Sequence, residues 1–172
     1  VDAIQGRRYI SCVLNAENGD EATISIKPAD EKKNVVIVGA GIAGLEAARV
    51  AAIRGHKVDV YEKEDKVGGQ IHLAAVPPRK DEILRSVEYY NAILPGLGVN
   101  IYLNTEATKE VMNAADAVIV AVGAQDIVLP ISGTDSANVV SSWDVLAGKV
   151  EVSGHCAVIG GGLVGTETAE YL

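Results

Sequence analysis

Phenylalanine is missing from this 172-residue chain, and six Tyr with one Trp supply all of its aromatic rings. A core built without Phe has to close with Val, Ile, Leu and Ala, the composition of a parallel sheet covered on both faces. Cysteine is nearly absent as well. Cys12 and Cys156 lie far apart in sequence, which excludes a disulfide framework and makes a reducing cytoplasm the expected compartment. Basic residues are few: 15 Lys and Arg against 23 Asp and Glu leave a net charge of −8 and a pI near 4.8. That balance excludes nucleic acid as an expected partner, because phosphate backbones need a basic patch. No run is long and apolar enough to span a bilayer, so no membrane partner is expected. Val1 to Arg8 lacks the apolar stretch of a secretory signal. The three histidines, His56, His72 and His155, are scattered without metal-ligand spacing. G-x-S-x-G, H-E-x-x-H and a Walker lysine are absent, and no general acid or base stands out, so no catalytic residue is expected.

What the chain has is glycine, 18 residues of it. Twice an apolar run breaks into a glycine turn and then into a small-residue helix. The first is Val35-Val36-Ile37-Val38-Gly39-Ala40-Gly41-Ile42-Ala43-Gly44, and the second is Cys156-Ala157-Val158-Ile159-Gly160-Gly161-Gly162-Leu163-Val164-Gly165. In each, the first glycine permits the tight turn, the second lets a diphosphate reach bare backbone, and the third lets helix and strand pack closely. Helix-start N–H groups and the helix dipole would supply the attraction that the net charge does not. Glu62, at the end of the second expected strand, stands where a carboxylate accepts from adenosine ribose hydroxyls, with Lys63 beside it.

Along the chain, Glu17 to Asp20 reads as a turn and Ala22 to Ile26 as a short strand. Strands are expected at Asn34–Gly39, Lys57–Lys63, Val99–Leu103 and Asp116–Val122, the last in a central position. Helices are expected at Ile42–Arg54, closed by a left-handed Gly55, at Asp81–Leu94, at Glu106–Ala115, and near Trp143–Ala147 with a serine cap from Ser141 or Ser142. His155–Ile159 reads as a strand that buries Cys156, and Leu163–Leu172 as a helix. The alternation predicts a doubly wound α/β domain with a parallel, Rossmann-like sheet in the order 3-2-1-4 and its ligand crevice at the strand carboxyl ends beside strand 1. The expected division is a leader over 1–33, a dinucleotide-binding domain over 34–150, and the first strand and helix of a second, truncated dinucleotide-binding domain over 151–172.

Two further segments favour FAD at the first turn. Val67-Gly68-Gly69-Gln70 resembles the G-G segment that flavoproteins place after the ribose-binding acid. Ala117 to Val122 running into Gly123-Ala124 resembles their A-T-G segment, with Val122 where Thr is usual. Together with Ser11-Cys12-Val13-Leu14-Asn15, Val139-Val140-Ser141 and Asp144-Val145-Leu146, these motifs make the chain similar to the C-terminal FAD/NAD(P)-binding half of the NADH:flavin oxidoreductase family (the 2,4-dienoyl-CoA reductase, trimethylamine dehydrogenase and enoate reductase type). The resemblance implies a cofactor-binding, electron-transferring part of a larger NAD(P)H-dependent flavin/iron–sulfur reductase of activated alkenes. It implies cofactor contacts at Gly39, Gly41, Gly44, Glu62, Lys63, Gly68, Gly69, Gln70 and Gly123, and nicotinamide-nucleotide contacts at Gly160, Gly162 and Gly165. It also implies an upstream FMN barrel and a [4Fe–4S] cluster in the parent chain, with Cys12 as the fourth cluster ligand there. The choice between NADH and NADPH stays open. So does a second reading, in which the first site is a non-catalytic pocket for ADP.

Overall fold

The computed structural model describes Cys12 and residues 15–172. Ser11, Val13 and Leu14 of the leader motif, and the Val1–Arg8 segment, lie outside the described residues. In chain order the elements are β1 (Asn34–Val38), α1 (Ile42–Ile53), β2 (Lys57–Tyr61), α2 (Ile71–Ala74), a 3-10 turn at Asp81–Leu84, α3 (Arg85–Ile93), a second 3-10 turn at Pro95–Leu97, β3 (Asn100–Tyr102), α4 (Lys109–Asn113), β4 (Ala117–Val120), α5 (Ser142–Leu146) and α6 (Leu163–Tyr171). They fall into two compact units. One takes the residues up to Gly69 together with Arg85–Val122, and the other takes Gln70–Leu84 and Gly123–Leu172. Among the described residues no helix is long and apolar enough to cross a membrane.

The first unit holds a four-stranded, all-parallel sheet in the order β3-β2-β1-β4, the expected order. β1 is a run of Val and Ile whose Val35, Val36 and Ile37 are all buried, as the middle of a covered parallel sheet requires. β2 alternates, and Val58 and Val60 are sealed from solvent. In register, Tyr61 lies beside Tyr102, and their rings stack with centroids 4.9 Å apart. α1 packs on β1 and β2 through Gly44, Leu45, Ala48 and Ala51, the spacing of one helical face. It ends at Gly55, which adopts φ +92° as the expected left-handed cap. α3 lies on α1 and buries Val87 and Tyr90.

That helix pair is pinned by charge. The Arg49 guanidinium donates to both oxygens of Glu46 at 2.8 Å and to Glu17 Oε1 at 3.1 Å, while the Tyr90 hydroxyl donates to Glu46 Oε2 at 3.0 Å. These bonds, led by Arg49, hold the Glu46 carboxyl below its ordinary value against the opposing effect of burial. Burial and the Glu46 contact push the Tyr90 hydroxyl up.

Four sequence expectations are corrected by the fold. Ala22–Ile26 is no strand: the Thr23 and Ile24 amides turn back onto Asp20 O at 2.8 and 2.7 Å, so local bonding has taken the groups a sheet would use. The expected helix over Asp81–Leu94 opens as a 3-10 turn and becomes α-helical only at Arg85. Among the described residues β4 pairs only with β1, so it stands at the edge of this sheet, and Val120 is 68% exposed. His155–Ile159 forms no ladder among the described residues, and Cys156 is exposed. An apolar run becomes a strand only where a neighbour offers its peptide groups, and among the described residues none does.

The Glu46 cluster carries a pH signature. Its carboxyl is depressed in the fold, so its contribution is complete above the ordinary carboxylate value of 4.5 and fades as the pH falls through the lower folded value. Glu46→Gln is expected to lower stability at pH 7 by about 1 kcal/mol, allowing for solvent access to the pair. It should also flatten the acid limb of the curve of stability against pH, measured by urea unfolding between pH 3 and 7. An unchanged acid limb would contradict this assignment.

Candidate dinucleotide site

In the first unit the chain leaves β1 at Gly39, which takes φ +100°; a Cβ there would stand 2.4 Å from Ala121 O. Only glycine fits, both for conformation and for space. The turn is tied on both sides: Gly39 N–H donates to Tyr61 O and Ala121 N–H to Val38 O, each at 2.8 Å. One turn later, a Cβ on Gly44 would sit 2.0 Å from Gly39 O, so the absence of a side chain lets α1 begin directly over the end of β1. Gly41 differs from both. It is the N-cap of α1, its φ of −69° is open to any residue, and a Cβ built there meets nothing within 4 Å. Its bareness therefore serves neither conformation nor internal packing; it leaves an open notch at a helix start.

No side chain caps α1, and its first turn carries no acidic residue. The N–H groups and the positive end of the dipole thus meet the notch without a competing acceptor. Gly68 and Gly69 lie against the same turn. Gly68 N–H donates to Ala40 O at 2.8 Å, Gly41 and Gly68 form a parallel bridge, and a Cβ on Gly69 would come within 3.2 Å of Gly41 Cα. The G-G pair is a close-approach device for the glycine turn itself. Glu62 follows β2 and is only 7% exposed. Its Oε2 accepts the Ala40 N–H at 2.7 Å and its Oε1 accepts the Glu64 N–H at 3.0 Å. Lys63 is exposed, with Glu64 3.8 Å away. The first unit thus brings together Gly39, Gly41, Gly44, Glu62, Gly68 and Gly69, while the Lys63 side chain stays in solvent.

The second unit holds the other expected contacts. Gln70 Nε2 donates to Ala124 O at 2.8 Å, and Gly123, at φ +76°, passes close beneath that amide. The second glycine turn repeats the first in conformation. Gly160 has φ +115°, Gly162 is an extended N-cap at φ −78°, and a Cβ on Gly165 would stand 1.9 Å from Gly160 O. Gly162, like Gly41, has nothing within 4 Å of its Cβ position, and α6 also begins without acid or side-chain cap. Lys80 Nζ pairs with Glu167 Oε1 at 2.6 Å, tying the segment before the 3-10 turn to α6. A cavity of about 150 Å³ lies among α2, α5 and α6, too small for a dinucleotide, whose kind of pocket runs to roughly 300–1,000 Å³. Ser141 caps α5 by accepting from Trp143 N–H at 3.1 Å. Among the described residues, no group of three or more His, Cys, Asp or Glu side chains could hold a metal ion, and Cys12 is exposed.

Two backbone turns of one design, each open at its middle glycine, suit two diphosphates. The family model of the pyridine nucleotide-disulphide oxidoreductases matches residues 33–172. The chain belongs to that family. A bilirubin reductase of Mediterraneibacter gnavus is 50% identical over 173 residues, covering 99% of this chain and 27% of the relative. A cinnamate reductase of Clostridium sporogenes is 45% identical, covering 98% and 25%. The solved structure of a 2-naphthoyl-CoA reductase superposes with a TM-score of 0.90 at 36% identity, over 98% of this chain and 26% of that one. The chain therefore spans about a quarter of the length of the proteins it matches. These matches bear out the kinship expected from the glycine turns and the G-G segment, and the pyridine nucleotide-disulphide oxidoreductase domain is one that binds FAD and NAD(P)H.

Sequence reasoning missed Ala40, Glu64 and Ala124, which act through peptide groups and leave no mark in residue type. Position is the one available signal for Ala40, the residue framed by two required glycines. The glycine contacts themselves predict a contrast. Gly44→Ala and Gly165→Ala introduce the same local clash, but Gly44 sits over a paired strand, whereas the run before the second turn forms no strand among the described residues. Gly44→Ala is expected to cost about 3 kcal/mol or more and Gly165→Ala less than half of that, by chemical denaturation. Equal losses would show that the second turn is held as firmly as the first.

Proposed function

We propose that this chain is the FAD- and NAD(P)H-binding part of an NAD(P)H-dependent flavin/iron–sulfur reductase acting on an activated alkene of the enoate or enoyl-thioester type. The observation that carries it is the first glycine turn. Its middle glycine is bare for no internal reason, and a buried carboxylate stands beside it. Gly39, Gly41 and Gly44 shape the seat for the FAD diphosphate. Glu62 keeps one N–H on each oxygen and offers its remaining lone pairs to the adenosine ribose hydroxyls. Lys63, Gly68 and Gly69 are the further FAD contacts of the first unit, Gln70 and Gly123 are FAD contacts carried by the second, and Gly160, Gly162 and Gly165 receive the nicotinamide nucleotide. The domain division is the one read from sequence: a leader over 1–33, the FAD domain over 34–150, and the opening of the NAD(P) domain over 151–172.

When bound, the flavin supplies the redox chemistry, and this chain's own residues bind, orient and set the electrostatics. In the parent protein, Cys12 would hold a [4Fe–4S] cluster as its fourth thiolate, and an upstream FMN barrel would supply the chemistry of substrate reduction. The chain covers only about a quarter of these relatives' length, which leaves room for such an upstream part, and the name of the cinnamate reductase fits an activated-alkene substrate. The compartment that fits such thiolate chemistry is the cytoplasm.

Gly41→Val tests the reading. Because the notch is open and φ is ordinary, the variant should fold with a circular dichroism spectrum like the wild type. Its affinity for ADP, measured by calorimetry, should fall by about tenfold or more. Undiminished ADP binding would overturn the assignment of the turn. Titration with FAD against ADP then separates a flavin site from a bare ADP pocket: binding of FAD no tighter than ADP would favour the pocket.

A further inference from the structure

Glu62 does something in this fold that a ribose contact does not require. Its backbone is fixed to β3 and beyond, because its N–H donates to Tyr102 O at 2.9 Å and its C=O accepts from Thr105 N–H at 2.8 Å. From that anchored position the carboxylate takes the Ala40 N–H at 2.7 Å. Ala40 has no solvent exposure, so in this fold the carboxylate and not water satisfies its N–H. The other peptide group of Ala40 is held too, through its C=O to Gly68 N–H. Ala40 is therefore gripped at both ends, by the end of β2 on one side and by the G-G segment on the other. It lies between the two glycines whose conformations shape the notch.

We propose that Glu62 is a positioning residue for the glycine turn: by holding the Ala40 N–H it fixes the turn, and with it the N–H groups at the start of α1, before any nucleotide arrives. This rests on the reading of that turn as a diphosphate seat, and it adds a second role to the carboxylate. The two roles use different lone pairs of the same oxygens. A carboxylate is suited to the task because two peptide donors, Ala40 and Glu64, need two acceptor oxygens. A glutamine offers one acceptor and would turn its NH₂ toward the other donor. An alanine leaves the Ala40 donor buried and unsatisfied, and a turn free to rearrange must be ordered again by the ligand.

The roles separate with a nucleotide that has no hydroxyls for Glu62 to bind. ADP and 2′,3′-dideoxy-ADP are titrated calorimetrically into the wild type, Glu62→Gln and Glu62→Ala. If Glu62 positions the turn, dideoxy-ADP binding weakens in the order wild type, Gln, Ala, by about tenfold at Ala. If Glu62 serves the ribose alone, ADP binding falls to the dideoxy level while dideoxy-ADP binding is unchanged or improves, and the proposal is overturned. Amide hydrogen exchange, read without nucleotide, gives an independent arm. Exchange at Ala40 should speed up in the same order while the centre of β1 keeps its protection. Unchanged Ala40 exchange in both variants refutes the latch. Should Glu62→Ala fail to fold, the scalar coupling across the hydrogen bond from the Ala40 amide nitrogen to the Glu62 carboxylate carbon, measured in the wild type, decides instead: its absence refutes the latch. Failure of the wild type to bind either nucleotide would overturn the diphosphate reading, and the exchange and coupling results would still decide on the latch.

Discussion

The close contact between Gly44 and the carbonyl of Gly39 is the constraint on which the first unit depends. A helix that would place a Cβ 2.0 Å from that carbonyl oxygen must carry glycine there, and in return its first turn sits directly over the end of β1. That placement aims the unpaired N–H groups of α1 at one spot and leaves Gly41 at the rim. It also brings the turn within reach of Gly68, whose amide closes onto Ala40. The same contact recurs between Gly165 and Gly160, so the chain uses one local solution twice.

Electrostatically, the chain keeps its acidity away from these turns. The net charge is −8, yet neither α1 nor α6 carries an acidic residue in its first turn. Net charge governs long-range approach, while the field at a helix start is set within a turn or so by backbone dipoles. Glu62 is the exception in sign, and its two peptide donors offset part of its charge. The ion-paired cluster of Glu46, Arg49, Glu17 and Tyr90 lies on the helical layer and braces α1 from the side.

How much was legible can be judged from particular segments. β1, its glycine turn, α1 and Gly55 were readable because each is a local matter: β-branched residues, positive φ, and one small-residue helical face. The order 3-2-1-4 followed from the handedness of crossovers, which any β-α-β unit obeys. Ala22–Ile26 and His155–Ile159 were misread because β-propensity describes a fit to a pleated neighbour, and neither has one among the described residues. The same reasoning misplaced β4: its Val and Ile content suits a central strand, but pairing on one side only makes it an edge. Gln70 and Gly123 were picked from the resemblance, whereas the bond from Gln70 to Ala124 O became visible only in three dimensions.

By itself the sequence determined where the backbone must be bare, which residues form the first sheet and in what order, and that a carboxylate ends β2. Those are consequences of sterics and handedness within a few residues or one crossover. Tertiary structure alone decided that Gly41 opens on a notch while Gly39 and Gly44 fill contacts, that Glu62 grips the buried Ala40 amide, and that Cys156 is exposed. Each of these depends on which distant peptide groups come within hydrogen-bonding distance, and residue identity carries no record of that.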